Sequence, residues 1–246
     1  MAGHSKWSKV KHIKGPLNVK RGVQFSKLVK ETTGAARLDG GNSRLRSVVE
    51  TARAANMPRD NMQRAIKKGT GGIACVHYEE TLYEAYAPGG VAMIIKAATD
   101  NKNRTAAGLR LIFSKQGGSL AASGSVLYMF HKKGQIIIPR SLSDEDRILE
   151  LAFDAGAKEF VPEGTHYVVT TPAERLYAVA EVLRSNGIEV DAQRHIYLPD
   201  STVSLVDANV AAQVLHLYET LEDNEDTQNV YSNFDIPEEA LAWLPA

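Results

Sequence analysis

Helical spacing organises the first quarter of the chain. Across residues 19–37 the positions Val19, Val23, Leu28, Val29, Thr32 and Ala36 fall on one stripe, with Phe25 beside it. Lys20, Arg21, Lys27 and Lys30 lie largely elsewhere on the same predicted helix. Gly40-Gly41 breaks the period, and Asn42 or Ser43 then caps a second helix that carries Leu45, Val48, Val49, Ala52 and Ala55 at i, i+3, i+4, i+7 spacing. Pro58 suits the first position of a third helix with Met62, Ala65 and Ile66 inward and Gly69 at its end. Residues 1–18 show no clean period and read as an irregular arm closed by Gly15-Pro16, and the Gly-rich stretch after Lys68 reads as a linker.

The period changes at Tyr78. YEETLYEAYA and VAMIIKAATD flank Pro88-Gly89-Gly90, a hairpin signature. Asp100 or Asn101 caps a helix to about residue 116, with Leu109, Ile112 and Phe113 inward, and Gly117-Gly118 stops it. SVLYMFHK and QIIIPR read as a second hairpin-like pair around Lys133-Gly134, so residues 78–140 read β-β-α-β-β. Ser143 opens a helix with Asp144, Glu145 and Asp146 in its first turn, which Gly156 ends. Short strands at 159–161 and 166–170 lead to Thr171-Pro172-Ala173-Glu174, a capping box for a helix bearing Leu176, Val179, Ala180 and Leu183. Strands near 189–197 and 202–205, a helix capped by Asp207, an acidic turn, a strand at 228–233 and a short helix after Pro237 complete the series. Helices first and antiparallel hairpins afterwards make an α+β fold rather than a doubly wound sheet.

Charge divides the chain more sharply than pattern does. Its 246 residues carry 29 Lys+Arg and 29 Asp+Glu, yet residues 1–70 hold 16 bases against four acids, a net of +12 that the remainder cancels. After Arg194 there is no Lys or Arg. A basic module beside an acidic body predicts a polyanionic partner, with charge matching inside the protein as the competing reading. No apolar run reaches the ~18 residues of a spanning helix. The basic start has no apolar core of a secretory signal, and a single cysteine, Cys75, allows no intrachain disulfide. A cytoplasmic protein is expected, and the sequence leaves its oligomeric state open, a monomer included.

Catalytic and metal sets do not stand out. The seven histidines form no HxH or HExxH spacing, there is no GxSxG elbow, and Cys75 has no identifiable activating partner. The acidic residues 222–226 lack calcium-loop spacing and read as a solvated turn. The expectation is a non-enzymatic protein with no cofactor and no metal. For nucleic acid the residue types are present. Lys6, Lys9, Lys11, Lys14, Lys20, Arg21 and Lys27 are phosphate contacts. Trp7 and His12 are stacking groups, with docking against the helical unit the equal alternative for Trp7. On the third helix Arg59, Arg64, Lys67 and Lys68 extend the positive surface and, with Asn61 and Gln63, are residue types that reach phosphates and base edges, with salt-bridged solvent exposure the equal alternative.

Several blocks carry a family resemblance. MAGHSKW, KHIK, KRGVQFSKL, AARLDGG, ANMPRDNMQRAIKKGTG, YEAYAPGGVA, TDNKNRT, GGSLAASGSVLYMFHKKG and LEDNEDTQNVYSNFDIP resemble, in order, those of the YebC/PmpR family. GPLNV stands where many members are alanine-rich, and Thr33-Gly34 where bulkier residues are usual, glycine costing about 1 kcal/mol in a helix interior. The resemblance implies an N-terminal helical domain (1–76) followed by two small α+β domains around a cleft, one discontinuous (77–131 plus 207–246) and one inserted (132–206). It also implies Lys102 and Arg104 of TDNKNRT on the cleft wall, against the plainer reading of a capped helix start. Bacterial members are described as transcriptional regulators that bind DNA, one repressing a quorum-sensing response regulator. Others resemble translation factors: a mitochondrial relative activates synthesis of a cytochrome oxidase subunit, and bacterial ones relieve ribosome stalling at proline runs. The resemblance therefore implies a DNA-binding regulator, or a factor contacting ribosomal RNA, with no membrane partner.

Overall fold

The computed structural model describes residues 21–38, 43–72, 78–140 and 144–237. The chain divides into two compact units, one of residues 1–34, 73–131 and 198–246, the other of 35–72 and 132–197. The division falls inside helix α1 (Arg21–Leu38), which runs through Gly34 without interruption.

In the first unit, strands β1 (Glu79–Ala87) and β2 (Val91–Thr99) form the hairpin expected around Pro88, with Gly89 and Gly90 at φ 75° making the turn. A short strand β3 (Ser119–Leu120) joins β1, and β9 (Thr227–Ser232) joins β2, giving the antiparallel order β3-β1-β2-β9. Helices α4 (Lys102–Lys115) and α7 (Ala208–Glu222) cover one face. The alternate strand positions Ala85, Met93, Ile95 and Val230 pack there with Leu109, Phe113, Leu217 and Leu221, as period-two alternation requires. On the other face the Glu84 carboxylate, 5% exposed, accepts from the backbone N–H groups of Gly124, Val126 and Leu127 at 2.6, 2.6 and 2.7 Å. Burial pushes this carboxyl up, but the three donors outweigh it and hold it below the usual carboxylate range. Strand β10 (Phe234–Asp235) pairs in parallel with β8 (Val203–Ser204). Buried Asn233 bridges to the central strand, its Oδ1 accepting from the Ala92 N–H at 2.8 Å.

The second unit holds the order β5-β6-β4-β7, from β4 (Phe130–Pro139), β5 (Glu159–Glu163), β6 (His166–Pro172) and β7 (Ala192–Pro199). Helices α5 (Glu145–Asp154) and α6 (Leu176–Ser185) fill its core, with Ile136, Ile138, Ile148, Val169, Leu176, Val179, Ala180 and Leu183 all at or below 1% exposure. The two basic helices α2 (Ser43–Ala54) and α3 (Arg59–Gly69) belong to the same unit. They enclose a small cluster of Leu45 and Val48 with Val49 and Ile66 against Ala35 and Ala36. Ser47 is buried in α2, and its hydroxyl donates to the Gln193 carbonyl at 2.9 Å. Arg184 bridges Glu50 and Gln193 at 3.0 and 3.1 Å.

Four expectations are corrected. Lys133-Gly134 is no turn: β4 runs straight through it, paired with β6 from Lys133↔Pro172 to Pro139↔His166. A Cβ on Gly134 would collide with Thr171 Oγ1 and stand 2.7 Å from Leu176 Cβ, so the glycine marks a close approach, not a bend. The capping box at Thr171 does not form either. The strand claims Thr171 and Pro172, a single 3-10 turn (Ala173–Arg175) intervenes, and the Thr171 hydroxyl donates to the Pro172 carbonyl at 2.9 Å. Pro58 is the N-cap of α3 rather than its first helical residue. The acidic turn is not simply solvated, because Asp226 is an internal acceptor for Lys30 and Thr105. The expected arm, the Gly40-Gly41 break and the helix after Pro237 lie outside the described residues.

Candidate nucleic-acid interface

The sequence-predicted cations separate into two groups of different character. One group lies in the first unit, around the turn after α7. Lys27 on α1 donates its ammonium to the Glu222 carbonyl, and burial pulls its pKa down despite the nearby carboxylates of Glu222 and Asp223. One turn on, Lys30 donates to the Glu225 carbonyl at 2.9 Å and to Asp226 Oδ1 at 2.7 Å, with side-chain exposures of only 10% for Lys30 and 15% for Asp226. The other Asp226 oxygen accepts from the Thr105 hydroxyl at 2.8 Å and from Arg104 at 3.3 Å. Burial would raise the Asp226 pKa, but the Lys30, Thr105 and Arg104 donors hold it below its ordinary value.

TDNKNRT is the other half of that cluster. Asn101 caps α4 by accepting from the Arg104 N–H at 3.0 Å, the plainer of its two readings. Arg104 also pairs with Asp100 at 2.7 Å, and Lys102 pairs with Glu79 at 2.6 Å, which holds its ammonium on. Lys27, Lys102 and Arg104 therefore each meet an acceptor of the same unit.

The second group is open. Pro58 starts α3 so that Met62 and Ala65 are buried and Ile66 half-buried, leaving Arg59, Arg64, Lys67 and Lys68 exposed. At 100° per residue, Arg64, Lys67 and Lys68 occupy one arc of the helix and Arg59 sits beside the apolar stripe. Among the described residues none of these four, nor Arg53 on α2, is within ion-pair distance of a carboxylate. Asp60 favours the first turn and Lys67 and Lys68 the last through the helix dipole, a stabilising role compatible with ligand contact.

A groove of about 690 Å³ runs between α2 and α3. Val49, Met57, Met62 and Ile66 form its floor, and Arg53, Asn56, Arg59 and Gln63 its rim. Sequence pattern alone missed the groove: Val49 and Ile66 read as inward positions of the second and third helices. Lys6, Trp7, Lys9, Lys11, His12, Lys14 and Lys20, and the Arg21 side chain, lie outside the described residues.

Two histidine–carboxylate pairs are open to solvent. The Thr165 hydroxyl, His166 imidazole and Asp191 carboxylate line up at 3.0 and 3.1 Å, the order of a hydrolytic triad. His166 and Asp191 are 40% and 39% exposed, so water is not excluded there. His131 pairs with Asp200 at 2.6 Å in a similarly open position. Among the described residues no group of three or more His, Cys, Asp or Glu is placed to hold a metal ion, and no helix is long and apolar enough to cross a membrane.

With this geometry in view, comparison with known proteins is informative over the full length. A family model for the TACO1/YebC protein N-terminal domain matches residues 5–72, and one for the TACO1/YebC second and third domain matches 78–234. A "Probable transcriptional regulatory protein" of Syntrophus aciditrophicus is 49% identical over 100% of both chains. Another of the same name from Desulfatibacillum aliphaticivorans is 48% identical over 98% of this chain and 99% of its own. The crystal structure of a conserved hypothetical protein from Aquifex aeolicus superposes with a TM-score of 0.82 at 42% identity, covering 90% of this chain and 93% of that one.

Proposed function

The chain belongs to the TACO1/YebC family, and from that premise we propose that it is a cytoplasmic, non-enzymatic regulator of gene expression that binds nucleic acid through the exposed face of α3. The observation that carries this reading is the set Arg59, Arg64, Lys67 and Lys68, cations without carboxylate partners among the described residues on one rigid helix. Clustered unpaired cations repel one another, and a phosphate backbone relieves that repulsion while releasing its counterions. By residue type, Lys6, Lys9, Lys11, Lys14, Lys20 and Arg21 are further phosphate contacts in this reading, and Trp7 and His12 are stacking groups.

The target that matches the names of the relatives is DNA, at the control regions of genes. A second reading, a translation factor on ribosomal RNA that relieves stalling at proline runs, is favoured by the groove, whose apolar floor suits bases that are not paired. No side-chain catalysis is needed for either. Crosslinking in cells, followed by sequencing of both DNA and RNA attached to the protein, tests the choice. Enrichment of DNA upstream of genes is expected; recovery of ribosomal RNA alone would replace the first reading with the second, and recovery of neither would remove both.

A further inference from the structure

Five helices end on the same backbone device, a residue at positive φ whose successor donates its N–H five residues back. On α3, α4, α5 and α6 that residue is glycine: Gly71, Gly117, Gly156 and Gly187, at φ 82, 73, 103 and 80°. Their successors bond to Lys67, Phe113, Ala152 and Leu183 at 2.9 to 3.0 Å. On α2 it is Asn56, at φ 56°, the only non-glycine residue at positive φ among the described residues. Met57 there donates to the Ala52 carbonyl at 2.9 Å, and Asn56 to that of Arg53 at 2.9 Å. Glycine adopts this conformation at no steric cost, so an asparagine held there directs attention to its side chain. That side chain is exposed and lines the groove between α2 and α3.

We propose that this groove seats one unpaired nucleobase of a single-stranded nucleic acid, with the Asn56 amide reading the base's edge. The proposal rests on the reading that this face binds nucleic acid, and it names the form of the ligand. A base has two apolar faces and a polar edge, with a phosphate on either side. The groove supplies the matching parts. Met57 and Met62 give a polarizable apolar floor beside Val49 and Ile66. Asn56 and Gln63 carry amides, each a donor and an acceptor on one planar group. Arg53 on α2 and Arg59 on α3 line the groove for the flanking phosphates, while Arg64, Lys67 and Lys68 occupy a separate arc of α3. The volume lies within the ~300–1,000 Å³ of ligand pockets. Paired bases are stacked and offer no face to an apolar floor, so a duplex would use the cations and leave the groove empty. An apolar peptide side chain would fill the floor but leave both amides unmatched.

Asn56→Gly gives a clean test because glycine keeps the backbone conformation while deleting the amide. The full chain and this variant are titrated by fluorescence anisotropy against labelled decamers of single base composition, in ribose and deoxyribose series, and against a duplex of equal length. The unsubstituted protein is expected to prefer one base composition, and the single strand over the duplex; the favoured sugar identifies the source. Asn56→Gly should keep its thermal midpoint, its duplex affinity and its salt slope. It should lose about 5- to 100-fold on the preferred strand, the size of one amide–base contact, and flatten the base ranking. Asn56→Asp, which replaces the donor by a charge that repels phosphate, should lose more. An unchanged ranking and affinity in Asn56→Gly, or equal binding of duplex and single strands by the unsubstituted protein, overturns the base pocket while leaving the cationic face standing. Absence of binding to every nucleic acid overturns both.

Discussion

Lys30 and Lys67 make an instructive pair. Both are helical lysines from the basic opening quarter of the chain, and the sequence offers little to separate them. Lys30 is a buried member of a polar cluster, gripping Asp226 at 2.7 Å and the Glu225 carbonyl at 2.9 Å. Lys67 is exposed on the last turn of α3 with no carboxylate partner among the described residues. The same charge thus serves packing in one region and stays available to an external anion in the other. Net charge is a property of the field, whereas function depends on which cations remain open after the chain has matched its own acids.

Reversing the two kinds of cation should break the molecule in different ways. Lys30→Glu places a carboxylate against Asp226 in a largely buried site and should cost about 3–5 kcal/mol of stability, measured by urea unfolding. A loss under about 1 kcal/mol would show that the cluster is far more hydrated than its geometry indicates. The triple reversal Arg64→Glu, Lys67→Glu, Lys68→Glu should alter stability by less than about 1 kcal/mol. It should lower nucleic-acid affinity on the order of 100-fold at moderate salt.

Acid separates the regions as well. Asp226 and Glu84 have pKa values lowered by folding, so each contributes stability that is full above the unfolded value of about 4 and is lost as pH falls through the lower folded value. Urea midpoints should therefore drop as pH is lowered below about 4. Asp226→Asn should start from a lower midpoint at pH 7 and fall less steeply. An unchanged acid limb in that variant would remove Asp226 from the account. The smallest effect belongs to α1, where a Cβ on Gly34 meets nothing within 4 Å. Gly34→Ala should add about 0.5–1 kcal/mol of stability and leave binding untouched.

Periodicity revealed most of the elements, for a local reason. The α6 stripe of Leu176, Val179, Ala180 and Leu183 is wholly buried, and the Asp207 and Asn101 caps sit where turn chemistry puts them. What it misread depends on partners distant in the chain. Gly134 looks like a turn until Leu176 and Thr171 of neighbouring elements crowd it. The acidic turn looks solvated until Lys30, 196 residues earlier, is packed against Asp226. The join of β9 to β2 could not be read from pattern at all, and was implied only by the family resemblance. At the candidate site, the exposed face of α3 was readable because Met62 and Ala65 set its phase. The groove was not, because it exists only once α2 and α3 are packed, although an asparagine in the connection Ala-Asn-Met-Pro was a visible hint of positive φ.

The most direct measurement is the salt dependence of strand binding by three forms of the full chain: unsubstituted, reversed at Arg64, Lys67 and Lys68, and neutralised by Lys102→Ala with Arg104→Ala. Each phosphate contact on a single strand contributes a slope of about −0.7 in log K against log salt. The account predicts a slope shallower by about 2 for the α3 reversal and unchanged for the Lys102 and Arg104 variant. Equal slopes for the unsubstituted and α3-reversed proteins, or a loss of slope confined to the Lys102 and Arg104 variant, would contradict it.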